Sequence, residues 1–530
     1  MPRILKGRAG ASFPGRSSHY QISENDPWYQ ITFVRLDRGA RNEFGTAAAR
    51  SLWSCKLDGT LVRRLTYNLS SDFDPTIMWD DRLLYATWQR RNLDHGTAGR
   101  ISLFGVNTDG TDYAPFVVHA GKRIKHMPCT TPNGLAVFVE ADRALWDGAG
   151  QLAGVSLARP LHSYRALTGR ADGLFHSPSS LPDGTILVAR RSMDGAATHA
   201  VYRLHLKSKR LELVHDDPRL HDIQAKVVAP RAEPDGRSSS VVDNDPKGKL
   251  YCLNVYATDL KDASWMPPGT AKRLRVVEGL PRKAVDENSS VRHQNGFPQL
   301  APRRLLGEVP IAEDGSFNIE VPANTSLELQ LLDEQGIALR SCGWVWTRNH
   351  YNQGCVGCHE DGELSPENWM VAALNRPSIS LCPPPGQRRS MDFRRDVMPV
   401  VVAKCVPCHD NKGSSPVLAG DAKPDPHQVY RVLRGPESPA KPDAAFGEYI
   451  HPGKARTSPL AWHVFGRNTS RPWDGDLASR QAQPIPPERG ISLTDAEREV
   501  LVRWIDLGAA FDGAEATASS REAQAGASGR

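Results

Sequence analysis

Several absences narrow the field before any motif is read. No run of about 18 apolar residues occurs, so no segment reads as a membrane-spanning helix. The first residues, MPRILKGRAGASFPGRSSHY, include basic side chains but lack the apolar stretch of an export signal. No basic run exists either. A formal charge of +6 over 530 residues, with Lys and Arg spread along the chain, argues against nucleic acid as a partner. Cysteine is scarce, and an odd total of 9 in so long a chain is not a disulfide scaffold. Methionine is scarcer still, with 8, and none follows Met398.

The length calls for about two to four domains. In the first half, SLWSCKLDGTLVRRLTYN at 51–68 and SLFGVNTDGTDYAPFVVH at 102–119 each read as strand, Asp-Gly turn, strand. An apolar strand behind a turn recurs in WDDRLLYATW, PNGLAVFVEA and PDGTILVARR, which sets a period of about 50 residues. Repeats of that size made from short strands indicate a β-propeller, because one blade cannot bury both its faces alone. A β-sandwich array is the plainer alternative. The wording DGTLVRRLT followed by DFDPTIMWDDRLLYAT resembles the TolB-type repeat. Blades are expected over 25–285, the last from KGKLYCLNVYATDL.

Residues 286–380 read as a sandwich-like β domain, since GEVPIAEDGSFNIEVPANTSLELQLLDEQGIALRS alternates apolar and polar positions around turns. A proline-rich linker, LCPPPGQRRS, leads to a small all-α domain at 386–513. There Phe393, Val397, Val400 and Val401 form a helical stripe running into Cys405. Thr494 and Glu497 make a capping box for a closing helix whose apolar face is Val500, Leu501, Trp504 and Ile505. A helix entering a Cys motif and a closing aromatic helix match the cytochrome c-like fold. Residues 514–530 offer little that could pack and read as a disordered tail. The fold class is therefore mainly β with one small all-α domain.

Two Cys-x-x-Cys-His segments carry the chemistry: Cys355, Cys358, His359 and Cys405, Cys408, His409. Sulfurs one helical turn apart can each form a thioether with a haem vinyl group, and the adjacent His then meets the iron. Composition alone would produce this motif far less than once. The competing reading is structural zinc held by both Cys pairs. The long interval between the pairs, the proline-rich linker inside it and the His after each favour two covalent haems. Haem attachment takes place outside the cytoplasm, so a periplasmic or other extracytoplasmic location is expected although no export signal is visible.

Because no Met follows His409, the common His/Met pair cannot form at the second haem from downstream residues. Ile485 stands in the PIPP stretch where such domains carry a Met-Pro-Pro ligand loop. The second axial ligand is then a histidine or is absent. His427 reads as a solvated loop residue, which leaves His451 in the IHPG loop, the favoured choice, or His463 on a helix. The expected iron ligands are thus His359, His409 and His451. Elsewhere His95, His126, His162, His176, His205, His215 and His221 read as scattered turn or surface residues, and Cys55 and Cys252 as buried small hydrophobes. Cys129, near His126, is the remaining place for a metal.

The order propeller, EVPANTSLELQLLDEQGIALRS with CVGCHEDGELSPEN, then DVMPVVVAKCVPCH with HPGKARTSPLAWHVFGR and LTDAEREVLVRWIDLGA resembles the hydrazine synthase alpha subunit family and its bacterial relatives over about residues 30–512. The resemblance implies a propeller, a middle domain with one c-type haem and a C-terminal domain with a bis-histidine haem. In that family a tyrosine just after the first motif coordinates iron while the motif histidine turns to zinc. Here Glu363 stands in that place and no Tyr occurs between the motif and Tyr430, so hydrazine synthesis is not expected. The expectation is a dihaem cytochrome that transfers electrons to or from a redox partner protein, or a haem oxidoreductase acting on a small-molecule substrate. Glu360, Asp361 and Glu363 are candidates to stand near the first haem, against the plainer reading that each is a solvated acid. The alternative is a propeller binding scaffold with structural zinc. Substrate, partner and oligomeric state stay open.

Overall fold

The structure is a computed structural model that describes residues 3–7, 28–43, 47–89, 99–118, 120–230, 234, 239–258, 266–283, 300–358, 370–410, 415–419, 423–434, 449–482 and 492–514. The chain opens with β1 (Arg3–Gly7), β2 (Trp28–Arg41), β3 (Ala48–Lys56) and β4 (Arg63–Arg64), an antiparallel set. Three four-stranded antiparallel meanders follow. The first comprises β5 (Ser71–Ile77), β6 (Arg82–Gln89), β7 (Arg100–Asn107) and β8 (Ala114–Val117). The second comprises β9 (Ile124–Thr130), β10 (Leu135–Ala141), β11 (Gln151–Ser156) and β12 (Arg165–Ala166). The third comprises β13 (Leu174–Ser180), β14 (Ile186–Arg191), β15 (Ala200–Leu204) and β16 (Leu211–His215). Neighbouring sets touch through single parallel pairs, Arg50 with Ser71 and Ile101 with Ile124, giving a β-propeller-like array.

A repeated backbone device laces the sets together. The first strand of each meander breaks at a left-handed residue placed before proline: Asp74 (φ 52°), Met127 (φ 51°) and Ser177 (φ 46°). Each break frees a backbone N–H from its own ladder. Met127 N donates to Asp74 Oδ2 (3.0 Å), Ser177 N to Met127 Sδ (3.3 Å), and Gln224 N to Ser177 Oγ (2.8 Å). The side chain at one break thus caps the donor exposed at the next.

The blade expected at KGKLYCLNVYATDL is corrected by the pairing. β17 (Lys247–Cys252) and β18 (Arg273–Gly279) join the middle sheets, and only β19 (Arg282–Lys283) returns to β2. One sheet runs β24-β17-β21-β25, the other β20-β18-β22-β23. Their strands are β20 (Arg303–Pro310), β21 (Phe317–Pro322), β22 (Leu327–Leu332), β23 (Ala338–Val345), β24 (Asn352–Cys355) and β25 (Ile379–Ser380). The boundary expected at 285 therefore falls after two strands of the middle unit. Leu250, Leu274, Val276, Ile319, Val321 and Leu331 from both sheets fill one core, with each such side chain worth about 1.5–3 kcal/mol on burial.

Among the described residues no strand follows Ser380; the rest is helical, with α1 (Met398–Lys404), α2 (Pro426–Arg434), α3 (Pro459–Phe465) and α4 (Asp495–Asp506). The expected stripe is present, since Phe393, Val397 and Val401 are buried on the turn and helix leading to Cys405. The capping box forms as well: Thr494 N donates to Glu497 Oε2 (2.7 Å) and Glu497 N to Thr494 Oγ1 (3.2 Å), worth about 1 kcal/mol.

Buried polar contacts fix the three parts together. Trp346 Nε1 donates to Gly110 O (3.1 Å) and Arg348 to Tyr67 Oη (2.7 Å), which seats the middle unit on the propeller. Asp506 on α4 accepts from Ala338 N (3.0 Å) on β23 and Ala455 N (2.8 Å) beside the His451 loop. Burial raises Asp506 to about 6 against the opposing pull of Arg275.

Candidate cofactor sites

The second Cys motif closes off α1. Cys405 N continues the helix by donating to Val401 O (2.8 Å), and His409 N turns back to Cys405 O (3.1 Å), so Cys405 and Cys408 sit one turn apart. Burial, then the neighbouring Cys408, pushes the Cys405 thiol up to about 11.

His409 Nδ1 lies 2.9 Å from Pro416 O. A carbonyl only accepts, so Nδ1 carries the proton and Nε2 the lone pair. His451 is 8% exposed, and its Nδ1 lies 2.8 Å from Thr457 Oγ1. The Thr457 hydroxyl gives its own proton to Lys454 O (3.3 Å), so it accepts from His451, and again Nε2 keeps the lone pair. His451 N donates to Ser458 Oγ (2.8 Å), which ties the loop down from both sides. Burial holds the ring down to about 4, so it is neutral. A metal-binding histidine needs this state: neutral, with the other nitrogen held by an outer partner.

Cys405 and Val406 pack against the apolar cluster that contains Ile450 and Val464, so the motif shares its surroundings with both candidate second ligands. His463, on the last turn of α3, is half-buried. His427 is exposed and stacks on Phe511 at 4.2 Å, as a surface residue does.

The first motif rests on strands instead. β24 runs parallel to β17, with Cys355 opposite Cys252. Beyond it Asn254 N donates to Val356 O (3.1 Å) and Cys358 N to Ala257 O (2.8 Å). The backbones approach so closely that a Cβ on Gly357 would stand 2.3 Å from Ala257 O. Glycine between the cysteines is therefore a packing requirement. Cys358 packs on the middle core, and burial, then Cys342, pushes its thiol up to about 12. His359, Glu360, Asp361, Glu363 and Ile485 lie outside the described residues, as do His95 and residues 515–530.

The two sites meet at β23. Arg340 stacks over Trp473 at 5.3 Å, and burial first, with Arg456 beside it and Cys358 opposing, lowers its pKa from the ordinary arginine value. Arg456 precedes Thr457, binds Asp474 through Nε (2.9 Å) and Nη2 (2.8 Å), and donates to Ala338 O (3.3 Å). Sequence reading missed Thr457, Pro416 and Arg340; nothing in their spacing marks them.

Zinc shared by the two Cys pairs is not supported. One pair sits on a strand of the middle unit and the other at a helix end, and among the described residues no three His, Cys, Asp or Glu side chains converge as metal ligands. Cys129 is buried among Val137, Val139 and Phe175, where a thiol acts as a small hydrophobe. No helix of the described residues is long and apolar enough to cross a membrane.

Comparison with known proteins follows the same outline. The family model for the hydrazine synthase alpha subunit middle domain matches residues 269–360. The hydrazine synthase subunit alpha of Kuenenia stuttgartiensis is 24% identical over 568 residues, covering 86% of this chain and 68% of that protein. A solved structure of Kuenenia stuttgartiensis hydrazine synthase superposes with a TM-score of 0.77 at 22% identity, covering 97% of this chain and 83% of that one. At that identity the superposition speaks for the fold.

Proposed function

The chain belongs to the hydrazine synthase alpha subunit-like family, and on that premise we propose that it is an extracytoplasmic c-type cytochrome with two covalently attached haems. Cys355 and Cys358 would hold one, with His359 as its ligand; Cys405 and Cys408 would hold the other, between His409 and His451. Haem iron supplies one-electron chemistry, at a low potential when both axial ligands are imidazole.

One observation carries this reading. Cys405 and Val406, in the motif of His409, and Ile450, beside His451, pack in one apolar cluster, and each ring is held through Nδ1, by Pro416 O and by the Thr457 hydroxyl, in the tautomer that presents Nε2 as a base. The protein's own work at the second site is to hold two imidazoles, each through its Nδ1, in fixed orientation. Electrons would pass to or from a redox partner protein. The first site would be a relay or the centre of a haem oxidoreductase for a small molecule. Glu363 in place of the family's tyrosine argues against hydrazine formation, and an assay with nitric oxide and ammonium that yields hydrazine would overturn that part.

The reading is tested by exporting the protein from a host that attaches haem, denaturing it and extracting with acid-acetone. A Soret band that stays with the polypeptide is expected, because thioether bonds survive both treatments. A colourless chain carrying zinc would refute it.

A further inference from the structure

Three of the histidines that read as scattered along the propeller, His126, His176 and His221, are brought by the fold into one region with His199. Asp74 stands 4.0 Å from His126; the His176 and His199 rings are 5.8 Å apart; and His199 Nδ1 lies 3.0 Å from His221 Nδ1. At the outer end His221 is exposed, beside the exposed Trp146 (5.4 Å between rings). His199 behind it is 1% exposed, and its Nε2 lies 3.4 Å from Asp147 Oδ2. Asp147 is itself held by Arg191 Nε (2.7 Å) and Ala149 N (3.0 Å).

His221 also lines an open cleft of about 390 Å³ whose walls are mostly apolar, with Leu187, Val201, Val214 and Ile223. Small-ligand sites have this size and character, with a few polar groups converging on an apolar wall. The polar groups besides His221 are His215 and Asp222, which lie 3.7 Å apart.

Proton counting shows what this cluster lacks. His221 Nδ1 accepts from the backbone N–H of His199 (3.1 Å), so it is bare, and the His199 Nδ1 facing it must carry the proton. A neutral His199 then turns a lone pair on Nε2 toward the Asp147 carboxylate, and that nitrogen has no hydrogen-bond partner among the described residues. A second proton on His199 would satisfy both contacts at once. What opposes it is burial first, with His176, His221 and Arg191, and these outweigh Asp147 and hold the ring down to about 4. Since Arg191 already balances Asp147, the extra proton needs an additional anion nearby.

We propose that the cleft is a second ligand site for a small carboxylate with an apolar body, and that each molecule bound brings one proton from solvent onto the His199–His221 pair. The carboxylate accepts from His221 Nε2–H, the body lies on Val201, Val214 and Ile223, and the incoming proton on His199 completes the contact to Asp147. No covalent bond is made or broken.

The test uses the full chain and phenylacetate as probe, titrated by calorimetry in phosphate and in Tris at equal pH. Uptake of about one proton per phenylacetate is expected at pH 7, with affinity rising about tenfold for each unit of pH lost between 8 and 6. His221→Gln should weaken binding at least tenfold, and His199→Gln should abolish the proton uptake. Absence of binding, binding without proton uptake, or uptake unchanged in His199→Gln would overturn the proposal. If a variant does not fold, the wild-type proton count alone decides.

Discussion

In the helical domain, residues 405–409 end α1, and the ring of His409 is held by a carbonyl just downstream. In the middle unit, residues 355–358 leave a parallel strand pair and are held through their backbone on residues 253–257. The same five-residue motif is thus presented by two unrelated supports. A helix end fixes both sulfurs and His409 as one piece, whereas a strand end depends on its neighbour for position. The local motif therefore specifies the bond chemistry, and tertiary contacts specify how firmly it is held.

The largest effect that would sharpen this contrast is Cys405→Ala, which should lower covalent haem from two per chain to one and leave the first site loaded; an unchanged ratio would remove the second assignment. Asp506→Ala should cost about 2–4 kcal/mol by chemical denaturation, since two buried backbone donors lose their acceptor. The same carboxyl predicts a pH dependence. Its folded value is raised from 3.8 to about 6, so its contribution to stability is present below 3.8 and lost as pH rises through about 6. Wild type should thus lose stability between pH 4 and 7 through this group, and the alanine variant should lack that component.

Gly357→Ala should break the comparison from the other side. The added Cβ meets Ala257 O at 2.3 Å, and relieving that contact costs about 1–3 kcal/mol. Haem attachment at the first site should fall while the second is untouched. Thr457→Val is the smallest change, removing the hydroxyl's bond to His451, worth about 1 kcal/mol, together with its longer bond to Lys454 O. It should leave both haems attached but alter the potential and the low-spin electron paramagnetic resonance signal of the second. Loss of His463 in place of His451 as the change that abolishes six-coordination would reassign that ligand.

Much of this was legible in sequence because the signals are local. The Asp-Gly turns, the stripe at Phe393, Val397 and Val401, the Thr494 capping box and both Cys motifs lie within a few residues of what they determine. The failures are contacts that no local pattern marks, most of them between distant segments. KGKLYCLN alternates like any blade strand, and only its pairing with β21 and β24 places β17 in the middle unit. Thr457 looks like a loop residue until its hydroxyl is found on His451. His126 lies in the second meander while His176, His199 and His221 lie in or just after the third, at no regular spacing, so nothing along the chain marks them as a group.

The most direct test is the intact mass of the denatured protein after export from a haem-attaching host. Two haem masses are expected on the chain, one on the peptide with Cys355 and Cys358 and one on that with Cys405 and Cys408. A mass equal to the bare polypeptide, with both Cys pairs open to alkylation, would contradict the account.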